Sequence, residues 1–354
     1  MKRLVLGPGA MAYFAFMGAL SALGDAGELS ELESISGSSA GSLLGFIYIL
    51  AKGDMSRVFE YSTNVPVKTV MKPNIRTFLK SFGLVSTEKL YKVFQKMVEE
   101  FMPGRRDITF KELYDHWPVR LYVAACCVNL STTHYFSVDV TPNMSVLKAV
   151  CMSVAVPFLI ESVTDGTWRY IDGGTLEETP CGPFIGQDNV HVICVSDWSI
   201  GTDVPDMKSY VVGIVGAAMA LRHKYRHFPK TIIDMTAGNI FDFSASVDSK
   251  LKMFLEGYES YKIREVRAEI YPPQTPDEEP RADPKHPEPM CVSEPTHSRT
   301  PQSHTNEQTF HRPEYTFRKN EDTDASRAAE CTPLQSSTID CTGNMTSDTP
   351  RDPF

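Results

Sequence analysis

The chain has no Cys-x-x-Cys pair among its eight cysteines, no excess of positive charge and no long apolar run. Each absence excludes a class of protein. Cysteines without metal-type spacing argue against a zinc site, and their scatter suits no small disulfide scaffold. Three of them, Cys291, Cys331 and Cys341, fall in the C-terminal quarter, where loose thiols suit a reducing compartment, so a cytoplasmic location is expected. A formal charge of −9 is wrong for a generic nucleic-acid binder, which needs a basic surface against phosphate. No stretch reaches the roughly 18 uninterrupted apolar residues of a membrane span. Lys2-Arg3 and the apolar residues up to Leu23 look superficially like a signal peptide, but Gly7-Pro8-Gly9 breaks that run, and none is expected.

Proline is plentiful but unevenly placed. About half of the 24 prolines follow Tyr271, among many Ser, Thr, Asp and Glu and few aliphatic residues. Such a segment buries too little apolar area to offset its ordering entropy. A folded unit is therefore expected over 1–270 and a disordered tail over 271–354, the tail serving regulation or an unknown protein partner.

Within the folded unit, strands alternate with helices. Arg3–Leu6 predicts a strand, followed by a glycine turn and a helix over about Met11–Leu23. Leu32–Ser36 predicts a second strand, leading through Gly37-Ser38-Ser39-Ala40-Gly41 into an apolar helix over Ser42–Ala51. Residues 54–118 are mostly helical in pattern, with Leu90, Val93, Phe94, Met97 and Val98 near a 3.6 period within Thr87–Phe101. Leu121–Val128, Trp168–Ile171 and His191–Val195 predict further strands, and Ser145–Val154 and Leu251–Tyr261 helices. This order is α/β, beginning a parallel sheet.

Gly37-x-Ser39-x-Gly41 between a strand and a helix is a nucleophile-elbow pattern. A serine held on so sharp a turn needs small neighbours on both sides, and its hydroxyl then stands at a helix N-terminus that favours developing negative charge. The competing reading is a Gly/Ser-rich connection. Gly7-Pro8-Gly9-Ala10-Met11-Ala12 fits a dinucleotide fingerprint, but the second strand ends in serines and glycine rather than the acid a ribose needs. The same turn can aim the amides of Gly9 and Ala10 at an oxyanion beside Ser39; Pro8 has no N–H to give. For a base, Asp172 ends a strand and is followed by Gly173 and Gly174, which permit a tight turn. Ser153-Val154-Ala155-Val156-Pro157 and Glu177-Glu178-Thr179-Pro180 frame it.

The glycine turn, the elbow about thirty residues on, the Ser-x-Ala-x-Pro segment and the Asp-Gly-Gly with a following Pro resemble patatin-like phospholipases, in order and spacing, across residues 3–180. A weaker likeness extends to Asp242-Phe243-Ser244 and Gly257-Tyr258. The resemblance implies a three-layer α/β/α fold with a mainly parallel central sheet. It also implies a Ser–Asp dyad, with Ser39 as nucleophile and Asp172 as base, and an oxyanion loop within Gly7–Ala12 supplemented by the Ala40 amide. Hydrolysis of phospholipid or glycerolipid acyl esters at a transient membrane surface follows, with no cofactor and no metal. Two departures from the family pattern stand out: the glycine loop lacks its usual Lys or Arg, and Glu177 and Glu178 occupy places where the family tends to carry Asn.

Two alternatives remain open from sequence. One is a catalytically impaired lipid-binding scaffold of the same fold. The other is a Ser–Asp–His esterase using His191 or His223. His191 opens an apolar strand, which suits a structural role. His223 and His227 lie in Leu221–Lys230, which predicts a short basic helix with interleaved aromatics that could meet an anionic membrane. Asp203 and Asp206 are too few for a cation site. Phe46–Ile49 suits a core, and Arg105-Arg106 a loop charge pair.

Overall fold

Leu4, Val5 and Leu6 alternate across the plane of a sheet, and the molecule is organised around that alternation. Leu4 and Leu6 join one buried apolar cluster, and Val5 joins another. The computed structural model describes residues 1–195, 228–233 and 240–270, together with Gly213. The chain divides into two units, Met1–Pro280 and Arg281–Phe354; the second, like the tail expected over 271–354, lies outside the described residues.

The main sheet has eight strands: β1 (Arg3–Leu6), β2 (Ser34–Ser38), β4 (Arg120–Cys127), β5 (Thr132–Phe136), β7 (Val163–Asp165), β8 (Trp168–Asp172), β9 (Val190–Val195) and β10 (Lys230–Ile233). They run in the order β10-β9-β1-β2-β4-β8-β7, with β5 also on β4. The first five in this order are parallel, whereas β5, β8 and β7 pair antiparallel. A second, two-stranded sheet joins β3 (Gly83–Val85) and β6 (Phe158–Ile160).

Nine α-helices complete the described residues: α1 (Tyr13–Asp25), α2 (Ala40–Leu50), α3 (Met55–Asn64), α4 (Val67–Val70), α5 (Ile75–Ser81), α6 (Thr87–Phe101), α7 (Phe110–His116), α8 (Val146–Ser153) and α9 (Val247–Ile270). Side chains at their N-caps hold several of them. Asp54, Ser86, Thr109 and Ser145 each accept a first-turn amide, which relieves orphan donors at those ends. Phe16, Leu20 and Leu23 of α1 and Leu44, Phe46 and Ile49 of α2 are buried in the larger cluster. Each contributes about 1.5–3 kcal/mol by leaving water. Helices α1 and α9 cross with backbones touching, for a Cβ on Gly18 would stand 1.9 Å from the Phe254 carbonyl oxygen. On the other face of the sheet, the described cover is the turn Gly182–Phe184 and Phe228, packed on Val5, Val190 and Val192.

The expected elements are present with shifted edges. β2 begins two residues later than Leu32 and runs on through Ser38, because it is paired with β1 over Ser34–Gly37 and with β4 over Ser34–Ser38. α9 runs beyond the predicted Leu251–Tyr261 at both ends. Lys230 opens a strand rather than closing a basic helix, and residues 221–227 lie outside the described set. Strands β3, β5, β6, β7 and β10 had no clear pattern in the sequence, being three to five residues long.

Candidate active site

β1 and β2 are parallel neighbours with Leu6 opposite Gly37, so the turns that follow them emerge at the same carboxyl edge of the sheet. Open α/β sheets bind ligands at this edge. Ser39 sits there, 6% exposed, between β2 and the N-terminus of α2, with φ 52° and ψ −123°. That left-handed backbone is strained for a residue with a side chain, and its surroundings hold it. A Cβ on Gly37 would stand 2.6 Å from the carbonyl carbon of Gly41, and one on Gly41 would stand 2.3 Å from the Leu6 carbonyl oxygen. The small flanking residues are thus a steric requirement of this turn.

Asp172 reaches the same place by a different route. β5 occupies one edge of β4 over Val123–Cys127. The other edge is shared end to end: β2 finishes with Ser38 opposite Ala124, and β8, running the opposite way, finishes with Asp172 opposite Ala125. Two strand termini from distant parts of the chain therefore meet head-on. The chain then turns at Gly173, where a Cβ would lie 2.1 Å from the Ala124 carbonyl oxygen and 3.2 Å from the Ser38 Cβ. Only glycine lets this turn press so closely on β4.

The Ser-x-Ala segment ties the two together. The Ser39 amide donates to Ser153 Oγ (2.9 Å), and the Ser153 hydroxyl donates to the Ala124 carbonyl (2.6 Å). The Asp172 amide donates to the Ala155 carbonyl (2.9 Å). Beyond the turn, the Ser36 hydroxyl donates to the Pro180 carbonyl (2.5 Å), stapling the Glu177–Pro180 segment against β2. Glu177 and Glu178 are both buried, and Glu177 accepts from the Tyr135 hydroxyl.

Asp172 is almost fully buried. Its Oδ1 accepts from the Gly174 amide (2.8 Å), whereas Oδ2 has no hydrogen-bond partner among the described residues. Burial raises its pKa from 3.8 to about 7, against the opposing pull of the Ser39 hydroxyl and the Gly174 amide. The Ser39 hydroxyl is thus near enough to favour the charged carboxylate without having formed a proper bond to Oδ2.

In the glycine turn, three amides are committed. Gly7 donates to the Ile193 carbonyl, Met11 to Ile240 and Ala12 to Gly9. The Gly7 amide, expected from sequence at an oxyanion, is therefore committed to the sheet. The amides of Gly9, Ala10 and Ala40 have no acceptor among the described residues. Ala10 is held at φ 46°, a left-handed conformation that glycine adopts more readily than a residue with a side chain.

Beside Ser39 lies a cavity of about 180 Å³ with almost wholly apolar walls. Ala10, Ser39 and Ala40 line it, and α2 also contributes Leu43 and Ile47. Much of the rest comes from the helical stretch predicted over 54–118, notably Tyr61, Val70, Val93 and Met97, and Phe14, Val156, Ile160 and Phe243 add to it. Phe46, Tyr48 and Ile49 are core residues as expected, but Ile47 also faces this cavity. The sequence offered no signal for the cavity beyond the apolar periodicity of α6, since a cavity wall and a packed core carry the same residues.

Other singled-out residues lie apart from this arrangement. His191 is buried with Nε2 at 2.8 Å from Thr231 Oγ1, a structural role that leaves the triad reading without its first candidate. His223, His227, Asp203 and Asp206 lie outside the described residues. Arg105 pairs with Glu112 (2.6 Å) and Arg106 with Glu99 (3.3 Å). Among the described residues no His/Cys/Asp/Glu group could hold a metal, and no helix is long and apolar enough to cross a membrane. Cys126, Cys127, Cys151, Cys181 and Cys194 are buried and form no disulfide.

A family model described as patatin-like phospholipase matches residues 4–185, just over half of the chain. The uncharacterized protein R571 of Acanthamoeba polyphaga mimivirus is 25% identical over 177 residues, covering 49% of this chain and 58% of that protein. The probable lipid hydrolase 463L of Invertebrate iridescent virus 6 is 26% identical over 202 residues, 56% of this chain and 68% of that protein. Among solved structures, VipD from Legionella pneumophila aligns with a TM-score of 0.48 and 15% identity, over 74% of this chain and 66% of its own. The chain spans about three fifths of the length of R571. The matched segment starts in β1, runs through the elbow and the Asp172 turn, and ends after the stapled Glu177–Pro180 stretch, so the strands and turns that build the site lie inside it, and the chain belongs to the patatin-like phospholipase family.

Proposed function

We propose that this protein is a serine lipid acyl hydrolase acting on phospholipid or other glycerolipid esters. The observation that carries the reading is a strained serine in the wall of an apolar cavity, beside a buried carboxyl with one unbonded oxygen. Family membership and the probable lipid hydrolase among its relatives support the same substrate class.

The chemistry follows from these positions. Asp172, as carboxylate, accepts the Ser39 proton as the serine oxygen attacks the ester carbonyl carbon. The amides of Gly9, Ala10 and Ala40 are the available donors for the oxyanion, reinforced by the positive end of α2. The tetrahedral intermediate collapses, the ester C–O bond breaks, and the departing alcohol takes the proton from Asp172. Water then attacks the acyl-Ser39 carbonyl, giving its proton to Asp172, and the fatty acid leaves with the serine re-protonated. The cavity receives the acyl chain. A 150 Å³ apolar cavity accommodates benzene, so about 180 Å³ encloses roughly seven carbons of that chain.

The test is release of labelled fatty acid from phosphatidylcholine vesicles. Ser39→Ala and Asp172→Asn should each reduce it to background while far-UV circular dichroism stays unchanged, and a fluorophosphonate probe should label the wild type at Ser39. Turnover retained in either variant would defeat the dyad; absence of labelling would favour the non-catalytic scaffold.

A further inference from the structure

From residue 61 to residue 87 the chain carries no Asp or Glu, yet Lys68, Lys72, Arg76 and Lys80 recur at every fourth position. In a chain of net charge −9 this is a local reversal of sign. Lys68, Lys72 and Arg76 are exposed, and none takes part in the ion pairs of the described residues.

Large apolar side chains stand beside them. Ile75 and Leu79 of α5 are 64% and 76% exposed, and Phe82, which caps α5, is 60% exposed. Phe158 of β6, 46% exposed, pairs in register with Gly83, the residue after Phe82. Both phenylalanines hold positive φ, 65° and 66°, conformations that bulky residues rarely adopt without an imposed reason. The Arg169 guanidinium lies 5.3 Å from the centre of the Phe82 ring.

We propose that the surface formed by Val67–Phe82 and Phe158 docks the protein on a bilayer bearing anionic phospholipid. Exposed apolar tips next to unpaired cations match such an interface, the tips entering the acyl boundary and the cations meeting headgroups. Continuity with the cavity adds to this. Val67, Val70 and Met71 precede α5 directly and line the cavity, and Ile160 lines it from the same strand that exposes Phe158. The elements that meet the bilayer are therefore the elements that wall the acyl site. The choice of a bilayer as occupant rests on the lipid-hydrolase reading above.

The test measures binding of the full-length Ser39→Ala protein to vesicles of phosphatidylcholine with and without phosphatidylserine, so that hydrolysis plays no part. Tighter binding to the phosphatidylserine vesicles is expected, weakening as salt screens the charges. A triple variant, Lys68→Gln/Lys72→Gln/Arg76→Gln, should bind them about 100-fold more weakly, at about fivefold for each cation near an anionic leaflet. A Leu79→Ser/Phe82→Ser variant should lose about tenfold or more. In proteins that retain Ser39, neither set should change hydrolysis of a soluble short-chain ester. Total failure to hydrolyse that ester would refute the enzyme and leave the binding result to stand by itself. Docking is overturned if the triple variant binds like its parent or if phosphatidylserine makes no difference. It is also overturned if these substitutions instead dissociate a dimer seen by sedimentation velocity, which would make a second copy the occupant.

Discussion

Asp172→Asn should make the folded protein more stable at neutral pH while removing its activity. The carboxyl ionises near 3.8 in the unfolded chain and near 7 in the fold, chiefly because burial disfavours its charge. Between those values the native state holds a proton that the unfolded state has released. Wild-type stability therefore falls as pH rises from about 4 to about 7, and the loss is complete above the folded pKa. At about 1.4 kcal/mol for each tenfold change in protonation equilibrium, the loss approaches about 4 kcal/mol. Asparagine keeps an oxygen for the Gly174 amide and carries no charge, so the variant lacks this slope. Urea denaturation of both proteins across this range gives the measurement. The stability of the variant minus that of the wild type should grow by several kcal/mol from about pH 4 to about pH 8. A difference that stays flat, or that shrinks as pH rises, would show that the carboxyl is not held against ionisation. If Asp172 is the base, as proposed, the same equilibrium sets the rate, and kcat/KM should rise with pH along an acid limb centred near 7.

Ser153→Ala deletes the hydroxyl between the Ser39 amide and the Ala124 carbonyl, leaving two buried groups unpaired. Stability should fall by about 2–4 kcal/mol, and kcat should fall without a matching rise in KM, with partial recovery in Ser153→Thr. Gly41→Ala places a Cβ 2.3 Å from the Leu6 carbonyl oxygen; a loss of at least about 3 kcal/mol is expected, seen as a lowered Tm and a lowered soluble yield. Val93→Trp fills part of the apolar cavity. Turnover of a long-chain ester should fall at least about tenfold relative to a four-carbon ester, and equal losses on both would mean that the acyl chain lies elsewhere.

Much of the local structure around Ser39 and Asp172 was legible in sequence because it rests on local steric rules. Gly37, Gly41 and Gly173 announce close backbone approaches, and the strand-turn-helix around Ser39 follows from apolar patterning on either side. The parallel part of the sheet was legible for the same reason, since buried strands such as β4 and β9 are largely apolar runs. The serine-rich end of β2 was not, because its burial comes from neighbours on both sides rather than from its own hydrophobicity. Gly7 shows another limit: residue type alone cannot say whether an amide faces a ligand or pairs with Ile193. Nor could spacing reveal that Ser153 and Ala155, two residues apart, hold different halves of one site. The exposed Leu79 and Phe82 likewise resemble core residues until their burial is known.

The meeting of Ser39 and Asp172 depends on register more than on proximity in the chain. β4 acts as the common ruler, with Ser38 at Ala124 and Asp172 at Ala125. A slip of one residue in β8 would carry the Asp172 side chain to the opposite face of the sheet, so a short strand needs fixing at both ends. At its start, the Arg169 amide donates to Asn129 Oδ1 (2.8 Å) and the Arg169 carbonyl accepts from Val128 (2.9 Å). At its end, the Asp172 amide donates to Ala155, and Gly173 fits against Ala124 in a space that admits no Cβ. Ser153, two residues before Ala155, fixes the Ser39 turn to the same carbonyl of β4 that Gly173 presses against. Displacing either turn therefore disturbs the partner of the other.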